Sequence, residues 1–154
     1  MGKGAVFLKK NILILSIVLL SILLIVCVSL AKNQENLANI QKENAEYEIY
    51  KEKEVFGTEV VSIIHKAINH NIKYETPQDE KGFFIPNETN SIKVELKLFN
   101  GEKLKTYQME NIQKAGTEGF VKNFNLILFK CTKIEYHKQT KRVAKLVFEQ
   151  IEEW

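Results

Sequence analysis

The sequence predicts an α+β fold: an N-terminal transmembrane helix and helical stalk, followed by an αββαββ domain with a four-stranded antiparallel sheet. Three observations predict it. An uncharged apolar run occupies residues 12–31, polar helix-forming residues fill 32–55, and two later segments alternate apolar and polar residues after helical patterns. Residues 1–11 form a basic start, and residues 56–154 form the small extracytoplasmic domain.

The apolar run reads ILILSIVLLSILLIVCVSLA and contains no charge. At the rise of an α-helix it is roughly 30 Å long, which matches the hydrocarbon core of a bilayer. Lys3, Lys9 and Lys10 precede it, so the positive-inside rule predicts a cytoplasmic N-terminus and an extracytoplasmic C-terminal domain. The lipid bilayer is thus the expected partner of residues 12–31, in a single-pass cell-membrane protein.

The distribution of charge supports this topology. Three of the 22 basic residues precede the span, whereas all 19 acidic residues follow it, so the part after the span carries no net charge. A nucleic-acid-binding domain usually carries a basic patch or stripe, and this composition excludes that class. The alternative to a retained anchor is secretion after cleavage near Ala31, since Ser29-Leu30-Ala31 fits signal peptidase.

The stalk carries a thin apolar stripe of heptad-like spacing. Leu37, Ile40 and Tyr47 belong to it, with Asn44 at the intervening position. The stripe falls short of three sustained heptads, so it predicts a solvated helical spacer with at most weak self-association.

The domain begins with an amphipathic helix, for which Thr58 is the predicted N-cap and Glu59 the acidic residue of the first turn. Residues 73–90 contain both prolines and predict a loop with a short extended piece at 83–85. A second helical stretch, residues 110–124, is interrupted at Gly116. The triplet Gly-Thr-Glu occurs at both proposed helix starts, 57–59 and 116–118.

Two hairpins complete the predicted sheet. The first alternates from Ile92 and turns at Asn100-Gly101, a strong hairpin signal; its register places Val94 opposite Tyr107 and Ile92 opposite Met109. The second runs through residues 126–136 and 143–151. Its register places Ile134 opposite Leu146 and Thr132 opposite Phe148.

No residue pattern predicts a catalytic, cofactor-binding or metal-binding site, and no cofactor is expected. His65 and His70 are five apart and do not share a helix face, and His137 lies on a strand far from Cys131. Cys27 lies in the apolar run and Cys131 in the domain, so the two cysteines are not expected to form a disulfide with each other. The remaining candidates are interpreted as solvated surface or turn: the basic cluster Lys138, Lys141, Arg142 and Lys145, the paired carboxylates Asp79-Glu80 and Glu152-Glu153, and the sequon Asn87-Glu88-Thr89.

This arrangement of basic start, membrane helix, stalk and antiparallel sheet resembles type IV pilins and pseudopilins, and also small single-pass membrane proteins of low-GC bacteria. The first resemblance implies a subunit of a surface or secretion assembly. Gly4 corresponds to the glycine before the pilin processing site, but Lys9 stands where the family has a glutamate. No functional residue is therefore carried over from that family.

Three function classes follow from the sequence. The first is a non-enzymatic membrane-anchored extracytoplasmic interaction or structural module that recognises a protein or envelope component. The second is a pilin-like subunit. The third is a small-ligand sensor or enzyme, which a deep polar pocket containing His65, Cys131 or clustered carboxylates would favour.

Overall fold

The computed structural model describes the backbone of residues 3–101 and 103–151, and the side chains of residues 11–101 and 103–151. It forms two compact units, one ending at Asn39 and the other starting at Ile40. The elements in chain order are α1 (Lys3–Glu48), β1 (Glu54–Phe56), α2 (Gly57–Lys73), β2 (Lys93–Asn100), β3 (Lys103–Gln108), α3 (Met109–Ala115), α4 (Thr117–Phe124), β4 (Leu128–Tyr136) and β5 (Val143–Gln150). The α+β class is confirmed.

The first unit contains the apolar part of α1. Its side chains from residue 12 to residue 30 are exposed, and the helix is long and apolar enough to cross a membrane. Two serines within it bond back to the helix backbone: the hydroxyl of Ser16 donates to the carbonyl of Ile12 (2.9 Å) and that of Ser21 to the carbonyl of Val18 (2.7 Å). These bonds satisfy the hydroxyls without water, so both serines are compatible with lipid.

The second unit incorporates the last turns of α1. The Tyr47 side chain is buried in the core. The Asn44 amide donates to the carbonyl of Lys141 (2.8 Å) and accepts from the N–H of Val143 (2.9 Å). Two positions of the heptad-like stripe thus contact the domain of the same chain. The region predicted as stalk, 32–55, is helical only to Glu48, and its end contributes β1 to the sheet.

The sheet has five strands in the order β1-β4-β5-β2-β3. The predicted four-stranded antiparallel sheet is wrong in two respects: β1 adds a strand, and β2 pairs with β5 in parallel. β1 is only three residues long, too short to show a period of two, and it lies in a charged stretch. Local patterns encode each hairpin but not which strands of the two hairpins become neighbours.

The predicted β2–β3 hairpin forms with a register displaced by two residues. Leu96, not Val94, lies opposite Tyr107, and the closing pair is Asn100 with Lys103. Gly101 occupies the turn with φ of +67°. A shift of two residues keeps every side chain on its face of the sheet, so the alternation of apolar residues permits both registers.

The β4–β5 hairpin follows the predicted register in its middle and departs from it on both sides, since Tyr136 lies opposite Val143 at the turn end. Ile134 lies opposite Leu146, as predicted, whereas Cys131 and not Thr132 lies opposite Phe148. The difference arises from a bulge between Cys131 and Lys133, which adds one residue to β4.

The helix starts also refine the prediction. Helix α2 begins at Gly57, so Thr58 lies inside the first turn and is not the N-cap. The Glu59 carboxylate instead accepts the N–H of Phe56 (3.2 Å). The predicted interruption at Gly116 is confirmed, since this residue has φ of +88° between α3 and α4.

Alternate positions of the strands build the core. Val94, Leu96, Phe129, Leu146 and Phe148 are almost fully buried and belong to one cluster with the apolar residues of α2.

The intervening strand positions carry ion pairs across the parallel strands. Lys97 lies 2.5 Å from Glu149, and Lys145 lies 2.9 Å from Glu95. The face of the sheet opposite the core therefore carries these two ion pairs.

Candidate interaction surface

A groove lies where α3 and α4 approach the β2–β3 hairpin. It encloses about 460 Å³ and is lined by ten residues without a charged side chain; we call it the α3–α4 groove. Its lining consists of Leu98, Tyr107, Asn111, Ile112, Ala115, Gly116, Gly119, Phe120, Asn123 and Phe124. An uncharged concave surface of this kind is suited to apolar groups with a few polar contacts.

The break between α3 and α4 shapes this groove. Because Gly116 adopts a positive φ, the chain turns there and the two short helices each present an apolar residue to the core. Ile112 and Phe120 are both about 6% exposed. Phe120 stacks on Phe124 with ring centroids 4.7 Å apart, which gives the groove an aromatic wall.

Small and amide residues keep part of the groove open and polar. A Cβ at Gly119 would meet no heavy atom within 4 Å, so that position borders empty space. Asn123 donates to the carbonyl of Gly119 (2.9 Å), and Asn111 accepts the N–H of Gln108 (2.9 Å). Each amide retains further hydrogen-bonding capacity, because an amide has two donor hydrogens and an acceptor oxygen with two lone pairs.

The groove borders the free edge of the sheet. β3 is the last strand in the sheet order, and five of its six residues are exposed. Lys105 lies over the ring of Tyr107, 5.3 Å from its centroid, and places a positive charge beside the uncharged lining.

A second, polar cleft lies between the end of α1 and α2. It encloses about 280 Å³, and its lining includes Glu43, Glu46 and His70. The guanidinium of Arg142 donates to Glu43 (2.7 Å) and to the hydroxyl of Tyr74 (2.9 Å), and that hydroxyl donates to Glu43 (2.9 Å). Both oxygens of the Glu43 carboxylate thus accept hydrogen bonds that hold the end of α1.

His70 takes part in the same packing. Its Nε2–H donates to the carbonyl of Asn90 (2.8 Å), and its ring packs on that of Tyr74 with centroids 4.5 Å apart. Burial lowers the pKa of His70, which favours the neutral ring. These contacts give His70 a structural role at the cleft.

The other histidines and the cysteine of the domain lie apart from both concave surfaces. His65 is exposed, and the buried His137 donates from Nε2 to the carbonyl of Ser91 (2.8 Å). Cys131 is 1% exposed, and burial raises the pKa of its thiol to about 11. Within the described residues, no group of three or more His, Cys, Asp or Glu side chains is placed to hold a metal ion.

The predicted basic cluster does not form one patch. Arg142 turns toward α1, whereas Lys145 pairs with Glu95 across the parallel strands. Lys138 and Lys141 are exposed at the turn.

The Asp79-Glu80 pair and the sequon give no site among the residues that the structure describes. Asp79 bonds to the backbone N–H groups of Lys81 (2.9 Å) and Phe83 (2.8 Å) within its loop, and Glu152-Glu153 lies outside the described residues. The Asn87 side chain accepts the backbone N–H groups of residues 89, 90 and 91 and donates to Asn90. These bonds tie the sequon asparagine into its own turn.

Sequence reasoning missed the α3–α4 groove. The available signal was Gly119, because a glycine inside a helix costs stability relative to alanine and so indicates a local requirement.

No family model, curated protein or solved structure matches this chain.

Proposed function

We propose that the protein is a membrane-anchored extracytoplasmic interaction module that binds an apolar segment of a partner protein in the α3–α4 groove. The observation that carries this proposal is the groove itself: about 460 Å³ lined by ten uncharged residues, with an aromatic wall of Phe120 and Phe124. Catalysis has no part in the proposal.

The polar groups of the groove favour a protein segment as its occupant. Asn111 and Asn123 offer amides that donate and accept hydrogen bonds, as a peptide backbone requires. A Cβ at Gly119 would meet no heavy atom within 4 Å, so this part of the groove has space for a peptide segment. A lipid acyl chain would leave the remaining donors and acceptors of these two amides without partners, at a cost in free energy.

The membrane anchor in this proposal is the apolar part of α1. A helix of this length and composition fits a bilayer, and the three lysines before residue 12 favour a cytoplasmic N-terminus. The domain then lies on the extracytoplasmic side. Cleavage near Ala31 would instead release it as a secreted protein.

Site-specific photo-cross-linking tests the groove. A benzophenone amino acid replaces Asn123 at the groove, and a second variant carries it at Thr132 on β4 as a control. We expect an ultraviolet-dependent, protein-sized adduct from position 123 and none from position 132. Gly119→Leu, which fills the open space beside the groove, should abolish the adduct while the circular dichroism spectrum is retained.

Two results of the cross-linking experiment would count against the proposal. No adduct from position 123, or an adduct that Gly119→Leu leaves unchanged, would refute binding in the groove. An adduct of lipid size would replace the protein segment by a lipid as the occupant.

Fractionation and protease protection test the anchor. The intact chain should remain in membranes after an alkaline carbonate wash, and protease added outside intact cells should degrade the domain. A soluble product that begins at Lys32 would establish secretion instead.

A pilin-like subunit is the second candidate, and it is favoured by the uninterrupted course of α1 from Lys3 to Glu48. Shearing of cells followed by immunoblotting tests it. Filaments that contain a chain starting at Ala5 would support this candidate, whereas an intact Met1 on the chain in membranes would contradict it.

A further inference from the structure

The outer edge of β3 lies beside the groove, at one end of the sheet. β3 is six residues long and pairs with β2 on one side, and no described strand pairs with its other side. Its residues are exposed except for Tyr107, which is half-buried. The edge strand at the opposite end of the sheet, β1, has only three residues. β3 is therefore the longer free edge in the described part of the sheet.

The backbone alternation identifies the groups at this edge. Asn100 and Lys103 close the hairpin as a bonded pair, so alternate residues of β3 point their N–H and C=O groups toward β2. The others, Leu104, Thr106 and Gln108, point outward. An independent contact agrees: the N–H of Gln108 donates to Asn111 (2.9 Å) and not to β2.

We propose that β3 pairs antiparallel with β3 of a second copy of this chain, about a twofold axis that passes through Thr106. In this register Thr106 faces itself, Leu104 faces Gln108, and Lys105 faces Tyr107. The outward N–H and C=O of Thr106 then pair with those of Thr106 in the second copy, and the N–H of Gln108 keeps its bond to Asn111. The two five-stranded sheets become one continuous sheet.

The two lysines of β3 select this register. Antiparallel pairing of the outward N–H and C=O groups requires that Leu104, Thr106 and Gln108 face one another across the two copies. Only a few registers meet this requirement. An axis through Lys105 would place two lysines directly opposite, and an axis through Leu104 would place Lys103 opposite Lys105. Like charges directly opposite are destabilising. An axis through Thr106 avoids both clashes and keeps more of the strand paired than one through Tyr107.

The side chains of the chosen register are complementary. Lys105 already lies 5.3 Å from the ring centroid of its own Tyr107, so this lysine has the reach for a second aromatic ring. Threonines facing each other across strands stabilise a sheet. Lysines on an edge strand usually discourage pairing with other chains, and here they restrict it to a single partner geometry.

Membrane anchoring would favour this contact, and this step rests on the proposed function. Copies held in one membrane by α1 share a surface instead of a volume, so each meets another at a raised effective concentration. Anchoring in one membrane therefore brings the β3 edges of two copies together more often than in solution.

Cysteine trapping tests the register in the full chain. The background is Cys27→Ser, because Cys27 is exposed, whereas Cys131 is buried. Residues that face each other as a bonded pair have Cα atoms about 5.5 Å apart, within reach of a disulfide. Mild oxidation in membranes should therefore convert most Thr106→Cys chains to a species of twice the 17.8 kDa mass.

Matched controls come from the same strand. Leu104→Cys alone and Gln108→Cys alone should not cross-link, because each faces a residue other than itself. Chains carrying Leu104→Cys mixed with chains carrying Gln108→Cys should cross-link. Equal cross-linking by every variant, no cross-linking by a folded Thr106→Cys chain, or cross-linking only to another protein would overturn the proposal.

A second variant separates this contact from the groove. Thr106→Pro removes an outward N–H, and an edge strand tolerates proline there. Loss of the two hydrogen bonds at the axis should weaken self-association in detergent on the order of tenfold. The photo-adduct at position 123 should persist in this variant, and Gly119→Leu should leave the disulfide trap intact. An unchanged dissociation constant for Thr106→Pro would contradict the proposed pairing.

Discussion

Gly57 provides the sharpest test of how the domain packs. It starts α2 against the end of α4, and a Cβ added there would overlap the carbonyl oxygen of Phe124 and lie 2.7 Å from its carbonyl carbon. Ordinary contacts of a Cβ begin near 3.4 Å, and the obstacle is backbone, so the two helices must separate. Gly57→Ala is therefore predicted to destabilise the domain.

The size of this destabilisation follows from the contacts that a separation of α2 and α4 would strain. The N–H of Gly57 donates to the carbonyl of Ile127 (3.1 Å), and Phe124 packs on Phe120 and Phe129 with ring centroids 4.7 and 6.4 Å away. Overpacking of a well-filled site costs about 1–3 kcal/mol, and a weakened hydrogen bond adds about 1 kcal/mol. We expect a loss of about 3 kcal/mol in the free energy of unfolding.

Pulse proteolysis of the full chain in urea and nonionic micelles measures this loss. For a domain of this size, about 3 kcal/mol lowers the urea midpoint by about 2 M. Gly119→Ala is the matched control: its Cβ has open space, and alanine is the better helix former by about 1 kcal/mol, so its midpoint should rise. An unchanged midpoint for Gly57→Ala would refute the close approach of α2 and α4.

Three further predictions concern polar groups of the domain. The side chain of Asn71 is fully buried and bonds to both the N–H and the carbonyl of Ile92 (2.8 Å each). Asn71→Ala should therefore lower the free energy of unfolding in urea by about 2–4 kcal/mol, whereas Asn69→Ala, at an exposed position, should be near neutral. Burial lowers the pKa of His70 below its usual 6.5, so the unfolded chain binds more protons. Its contribution to stability is complete above pH 6.5 and declines as the pH falls through the folded-state pKa; His70→Gln should flatten this slope in pH-dependent unfolding, and an unchanged slope would contradict it. Cys131 is buried with a thiol pKa of about 11, so in the Cys27→Ser background maleimide should label it only as the domain unfolds in urea, and rapid labelling of the native chain would contradict that burial.

Short-range patterns carried much of the fold. The apolar run, the helix of α2, the break at Gly116 and the two hairpins all follow from periodicity and turn residues close together in sequence. The register of β2 with β3 did not follow from these local patterns, because a displacement by two residues leaves every side chain on the same face of the sheet. The bulge after Cys131 was hidden for a related reason: an inserted residue changes pairing across strands without an unusual local composition.

The candidate surfaces divide in the same way. Lys103 and Lys105 are visible in the sequence, but their effect on pairing depends on β3 being the edge of the sheet. The α3–α4 groove joins residues of β2, β3, α3 and α4, so no single segment shows it. Gly119 was the one local sign, an unfavourable helix residue with no local explanation.

The sequence by itself determined a membrane-length apolar helix, the α+β class and the amphipathic elements, because each depends on residues within a few turns of one another. The tertiary structure decided the parallel contact of β2 with β5, the addition of β1, the packing of Tyr47 into the core, and the groove. Those features depend on which buried faces meet. Hydrophobic burial is not directional, so a pattern of apolar residues predicts that a face is covered but does not specify what covers it.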